Sequence, residues 1–233
     1  MITALVGCGV VPGAIKPAQN RTATLASTAA TRLPIQQAVQ NFAAVIARVE
    51  PLAEAECRRQ AWAQNCDFQI GVDMDMASPP NAYQMLGENG RPQIIFTISL
   101  IAEARNSDEL AFVLGHEAAH HIEGHLAQSE QEAINWAIFG GIFASATGAD
   151  RTTVERAQQF GARVGALRFS KAHELEADRV GTMIAYRAGY DPVLGAQFFS
   201  RLPDPGDGFL NSHPANAERQ AIVAQTYGEI SGR

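Results

Sequence analysis

The sequence predicts an α+β fold, mainly helical, with a small β-sheet beside one long helix. Three observations carry that expectation. Ile35, Val39, Phe42, Ile46 and Val49 recur at helical spacing, which marks one apolar helix face. The helical period disappears over residues 67–76 and 81–97, and in the second stretch two β-forming runs flank Asn89-Gly90. From Asn106 a helical pattern returns and carries most of the remaining chain. With 233 residues, 46% hydrophobic and 18% charged, the chain can bury a substantial single core.

Residues 20–31 are rich in Ala, Thr and Ser without a period, as suits a tether. Residues 1–31 are therefore expected to form an N-terminal tail and residues 32–233 the folded domain. Pro51 should open a further helical turn reaching Cys57. Residues 82–86 and 93–97 meet across Glu88-Asn89-Gly90-Arg91, and because Asn and Gly both tolerate positive φ this reads as a hairpin. Asn106 can cap the next helix, with Glu109 reaching back in a capping box, and that helix should run to about Gln128. A second long helix starts near Thr152, with Glu155 as its cap partner, and continues through Glu174 to Gly189. Residues 203–212 are a Pro/Gly/Asp-rich loop, and Pro214 opens a last helix ending near Tyr227.

The net charge of −6 leaves no excess of Lys and Arg to neutralise phosphates, which argues against a nucleic-acid partner and for a protein or peptide one. The apolar run 134–146 falls short of the roughly 20 residues that cross a bilayer. It contains Gly140-Gly141 and is expected to be a buried helix or hairpin beside the active site, with an interfacial membrane contact as the other reading.

His116-Glu117-Ala118-Ala119-His120 is an H-E-x-x-H pattern. At about 100° per residue, positions four apart differ by about 40°, so both imidazoles leave one helix face and can grip one metal ion. Glu117 lies beside that face, where a carboxylate can act as general base. Two histidines on a solvated helix are the plainer reading of the bare motif. A second cluster, Glu174-Leu175-Glu176-Ala177-Asp178, shifts the balance, because Glu174 and Asp178 share a face one turn apart.

Together these segments resemble the gluzincin endopeptidases, the family of the CAAX prenyl protease and the bacterial envelope proteases HtpX and BepA. The resemblance spans about residues 81–219, from the hairpin through Glu109-Leu110-Ala111 ahead of the motif to Ser212-His213-Pro214 after it. It implies a zincin-like metalloprotease domain with one Zn2+ per chain, held by His116, His120 and Glu174, and with Asp178 orienting a ligand histidine. Three protein ligands leave a fourth position to water, as in catalytic rather than structural zinc sites, and Glu117 would accept the proton of that water and pass it to the leaving amine. His213 is implied to stand near the metal, as an oxyanion donor or as a gate on the open position, with loop capping as the structural alternative. Lys171 stands where the family usually has Arg.

The remaining residues are expected to be supporting. His121 and His125 should point away from the His116/His120 face as surface or supporting residues, His173 should be exposed, Glu176 should be a surface carboxylate, and Arg219 should be an ion-pair partner from the last helix. The strand at 82–86 or 93–97 could offer an edge to an extended peptide. A zinc-stabilised envelope chaperone or assembly factor is the alternative function, and Glu117 argues against it.

Leu5-Val6-Gly7-Cys8 resembles a lipobox, but only seven residues precede Cys8 and none is basic, so a lipidated, membrane-associated N-terminus would need residues upstream. Cys57 and Cys66, nine apart and outside any C-x-x-C motif, fit one disulfide in the bacterial periplasm or cell envelope, with two free thiols in a cytosolic protein as the other reading. The chain ends soon after the last family motif, without room for a C-terminal helical-repeat domain. Substrate identity and oligomeric state are not legible.

Overall fold

In the computed structural model, which describes residues 34–60, 65–166, 171–201 and 216–232, the first helix α1 (Ile35–Cys57) runs unbroken through Pro51. Pro51 lies on the exposed side, where water can satisfy the carbonyl that its missing N–H leaves unbonded. The buried seam is Ala38, Phe42, Val45, Val49, Ala53 and Cys57. Ile35 and Val39, expected in that seam, are exposed, because the small Ala38 and Ala53 let α1 approach its neighbours along an adjacent stripe.

Strands β1 (Gln69–Asp73), β2 (Ala82–Leu86) and β3 (Pro92–Thr97) form one sheet in the order β1-β3-β2. β3 pairs in parallel with β1 and antiparallel with β2, with Ile94 opposite both Ile70 and Gln84. The expected hairpin is present, but its turn differs from the two-residue form with positive φ at both Asn and Gly. Gly90 alone takes positive φ there, at 68°, and the loop closes through Gly87 N–H to Arg91 O and Gly90 N–H to Gly87 O, both 2.9 Å. β3 is central and has no free edge, whereas β2 pairs on one side alone among the described residues.

Thr97 Oγ1 accepts from Leu100 N–H at 3.2 Å and starts the short helix α2 (Ile98–Glu103). Asn106 caps α3 (Ser107–Ile122) as expected, its Oδ1 accepting from Glu109 N–H at 2.9 Å. Glu109 accepts from Arg105 N–H instead of closing the box on Asn106, and receives two further hydrogen bonds from Arg201 at 2.7 and 2.6 Å. This bidentate contact ties the 3-10 segment Ala196–Arg201 to the first turn of α3.

α3 does not reach Gln128. It stops at Ile122, Gly124 turns left-handed at φ 70°, and a new helix α4 (His125–Ala146) begins. α4 packs on α5 (Arg151–Ala166) through glycines: a Cβ on Gly140 would lie 2.6 Å from Ala157 O, and one on Gly161 2.3 Å from Trp136 O. Small residues fill the contact, so the large ones face outward, and Phe139, Ile142 and Phe143 are each at least 60% exposed. The run expected to be buried is thus largely on the surface. No helix among the described residues is long and apolar enough to cross a membrane.

The long helix expected from Thr152 to Gly189 is described as α5 and α6 (Lys171–Arg187), and residues 167–170 between them lie outside the described residues. Asp150 caps α5 rather than Thr152, its Oδ1 accepting from Thr153 N–H at 2.8 Å. Asp191 caps α7 (Pro192–Gly195), and α8 (Asn216–Ser231) closes the described chain. The core lies between α1, α3, α6 and the sheet, with Phe42 against Phe96 at 4.6 Å between ring centroids.

Cys57 and Cys66 form a disulfide, with Cα atoms 5.7 Å apart, that ties the end of α1 to the segment leading into β1. Closing so short a loop is worth about 2–3 kcal/mol through the unfolded chain. Cys66→Ser should lower the unfolding free energy by that amount in denaturant titration and remove the sensitivity to reductant. A parent protein whose transition ignores reductant would contradict the bond.

Candidate metal centre

The centre is assembled from α3 and α6, which touch at backbone distance. A Cβ on Gly115 would lie 2.9 Å from Gly181 O, and one on Gly181 would lie 2.8 Å from His116 N and 3.0 Å from its Cα. Those neighbours are backbone atoms that cannot swing aside. Glycine at both positions lets α6 approach closely enough for Glu174, two turns earlier on the same helix, to meet the two histidines of α3.

His116, His120 and Glu174 are all buried, and one ligand atom from each lies within 4.8 Å of the others. His116 Nε2 and His120 Nε2 are 3.1 Å apart, His116 Nε2 is 3.6 Å from Glu174 Oε2, and His120 Nε2 is 3.5 Å from Glu174 Oε1. Tetrahedral zinc with bonds of about 2.0–2.1 Å spaces its donors about 3.3–3.4 Å apart. The two-nitrogen, one-oxygen set therefore fits zinc in chemistry and in dimension. Glu117, next in sequence to His116 on α3, is half-buried.

The outward nitrogen of His116 is held by Asp178, with Nδ1 2.9 Å from Oδ1. Asp178 is fully buried and receives two hydrogen bonds from Arg219 of α8, from Nε at 2.8 Å and from Nη2 at 2.7 Å. The guanidinium lies over the Phe199 ring, 3.6 Å from its centroid. Arg219 is thus the ion-pair partner the sequence suggested, and it also borders the candidate metal ligands, its Nη2 standing 3.6 Å from Glu174 Oε2.

Burial raises the Asp178 carboxyl, but the hydrogen bonds and charge of Arg219 and His116 outweigh it and hold the group below the usual carboxylate range. His116 is held above the ordinary imidazole range: burial and Arg219 oppose its protonation, and the hydrogen bond and charge of Asp178, with the charge of Glu174, prevail. His120 is driven well below that range, first by burial and then because its protonated form would be repelled by Arg219 and by protonation of the neighbouring His116 and His125. An imidazole held neutral offers a lone pair, which a metal requires.

Three histidines and one carboxylate differ from expectation or extend it. His121 points away, its Nε2 2.7 Å from Asn65 O. His125 is fully buried against His120, and His173, expected at the surface, is buried and stacked on His125 at 4.4 Å. Glu176 is half exposed as expected, but its Oε2 lies 3.2 Å from His125 Nε2. The sequence carried one signal for this cluster, Gly124, whose positive φ breaks the helix ahead of His125. His213, Cys8 and the 203–212 loop lie outside the described residues.

Two imidazoles four apart on one helix, joined by a carboxylate from a second helix in a buried pocket, define the metallopeptidase class. The chain belongs to Peptidase family M48, whose family model matches residues 39–226. It is 30% identical over 137 residues to a beta-barrel assembly-enhancing protease of Yersinia pestis, covering 53% of this chain and 26% of that protein. It is 28% identical over 162 residues to the mitochondrial metalloendopeptidase OMA1 of Saccharomyces cerevisiae, covering 65% of this chain and 45% of that one. The matching protein of Arabidopsis thaliana, also named mitochondrial metalloendopeptidase OMA1, is 27% identical over 136 residues, 57% of this chain and 27% of the relative. The chain thus spans between about a quarter and just under half the length of these curated relatives.

Arg219→Leu should leave Asp178 buried without its main partner and cost about 3–5 kcal/mol. Chemical denaturation measures it; a loss below about 1 kcal/mol would mean that His116 and solvent suffice to hold Asp178.

Proposed function

We propose that the protein is a zinc-dependent endopeptidase acting on protein substrates, with one Zn2+ per chain held by His116, His120 and Glu174. The observation that carries this reading is the buried triad at zinc-compatible spacing, with Glu117, the glutamate of the motif, next in sequence to His116 and half-buried on the same helix. Zinc bound there supplies Lewis acidity and brings the pKa of water down to about 7. Glu117 takes the proton of the attacking water and delivers it to the leaving amine. Asp178 keeps His116 in the tautomer that presents Nε2, and Arg219 holds Asp178 ionised. The free edge of β2, a strand packed near α3, suits backbone pairing with an extended substrate. Such pairing reads main chain more than side chains, so sequence preference would be low. The strand at 93–97 cannot serve, being central.

The cellular setting we favour is the bacterial periplasm or cell envelope, in protein quality control. The Cys57–Cys66 disulfide supports an oxidising compartment, and one group of relatives carries a name that refers to beta-barrel assembly. The mitochondrial names of others leave the class of membrane open. Anchoring through a lipidated Cys8 belongs to the same proposal and rests on the sequence alone.

Glu117→Gln should retain stoichiometric zinc and lose hydrolysis of an unfolded, fluorophore-labelled protein by about 100-fold or more, because an amide cannot accept the proton. Chelation should abolish parental activity and added zinc restore it. Undiminished turnover by Glu117→Gln would sink the mechanism.

On the sequence alone we propose that His213 gates the open ligand position, since Pro/Gly-rich sequence suits that role better than a preorganised oxyanion donor. His213→Ala should then keep zinc and raise activity on loosely folded substrates. A fall of about 100-fold in kcat with zinc retained would make it an oxyanion donor instead.

A further inference from the structure

The geometry points to His125 and Glu176 as a positioning pair that fixes the second metal-binding histidine, His120, as Asp178 and Arg219 fix the first. The inference rests on the zinc reading of the site and extends it to His125, outside the H-E-x-x-H motif, and to Glu176, at a variable position of the E-x-x-A-D motif.

His120 turns Nε2 inward, 3.5 Å from Glu174 Oε1, and Nδ1 outward, 3.0 Å from His125 Nδ1. To offer Nε2 to a metal as a neutral imidazole, His120 must carry its proton on Nδ1, and that N–H needs an acceptor. The atom facing it is His125 Nδ1. It can accept only if His125 carries its own proton on Nε2, and Nε2 faces Glu176 Oε2 at 3.2 Å. The carboxylate accepts from His125 Nε2–H, and His125 Nδ1 accepts from His120 Nδ1–H. One chain of two hydrogen bonds thus assigns both tautomers and leaves the Nε2 lone pair of His120 directed at the centre.

His125 can do this because its ring is fixed. It is fully buried and lies on the His173 ring with planes 16° from parallel, and His173 Nε2 in turn stands 3.1 Å from Gln128 Oε1. Placement depends on the helix break. On an unbroken α3, residue 125 would lie about 140° around the axis from residue 120 and face elsewhere. Gly124, at φ 70°, ends that helix and makes His125 the first residue of α4, turned back over His120. A side chain with a Cβ would be strained there.

The two supports differ in kind. Asp178 gives His116 a buried carboxylate directly, whereas Glu176 acts from a half-exposed position through an intervening imidazole. Partners of this type commonly contribute 10- to 100-fold in metal affinity.

The test is zinc affinity of the full chain, measured by competition with a chromophoric chelator, together with the d–d spectrum of the cobalt-loaded protein. His125→Phe keeps a ring stacked on His173 but cannot accept the proton; zinc affinity should fall about 10- to 100-fold and the cobalt spectrum should change. His125→Gln, whose amide oxygen can accept from His120 Nδ1–H, should stay within about threefold of the parent, since it replaces the acceptor. Glu176→Ala should fall between the two. Parental affinity in His125→Phe, or equal losses in the Phe and Gln variants, would overturn the inference. If the Phe variant fails to fold, Glu176→Ala decides, because that side chain is half exposed and its removal leaves no buried void; parental affinity there overturns the pair. A parent that binds no zinc would instead remove the metal centre itself, so the two failures are separable.

Discussion

The backbone contact between α3 and α6 at Gly115 and Gly181 is the constraint on which the rest of the centre depends. A metal site of this type needs donors from two helices within about 4 Å of one another, closer than the 8–10 Å separation of ordinary helix packing brings most side chains without long arms. Glycine at the crossing brings the axes together, at a cost in helix propensity of about 1 kcal/mol per position. With the crossing fixed, the register of each helix determines what faces the pocket: His116 and His120 from α3, Glu174 and Asp178 from α6. Neither a longer side chain nor a looser crossing would bring the same four together.

Gathering those groups creates an electrostatic difficulty that the surrounding elements resolve. Two carboxylates in a dry pocket repel each other and resist ionisation. Arg219 answers for Asp178, and its flat guanidinium stays in place by resting on Phe199. Phe199 is delivered by the 3-10 segment, which Arg201 ties to Glu109 at the start of α3. Glu109 in the first turn of α3 and the buried arginine beside the histidines of that helix are therefore parts of one framework. Glu174 faces the two imidazoles and the edge of the same guanidinium, and the charge of the metal that the imidazoles imply would add to the stability of the pocket as well as to its chemistry.

The fold class, the hairpin, the Asn106 cap and the helical placement of both motifs were legible because each depends on neighbours within a few residues. The grouping of His116, His120 and Glu174 was legible for a different reason: four-residue spacing on a helix pairs the two histidines, and the resemblance to the gluzincin endopeptidases, carried by residues 174–178, implied the third. What local pattern could not supply was the sign of burial. The run 134–146 reads as core by hydropathy, yet its glycines and alanines take the buried side and Phe139 and Phe143 the exposed one. Ile35 and Val39 mislead in the same way, because which stripe of α1 is buried depends on where small residues let a partner approach.

His125 shows the limit most clearly. Continuing α3 to Gln128 is reasonable from propensity, since His121, Ile122, Glu123 and Leu126 all tolerate a helix and a single internal glycine costs only about 1 kcal/mol. That continuation sends His125 away from the metal. The alternative, a left-handed Gly124 and a fresh helix start, sacrifices at least one turn of hydrogen bonding and is repaid only by contacts with His120, His173 and Glu176, the last two about 50 residues downstream. A window of ten residues holds no trace of that return. Support for a metal ligand is therefore harder to read than the ligand, because ligands obey the geometry of one helix while their supports obey the geometry of the whole fold.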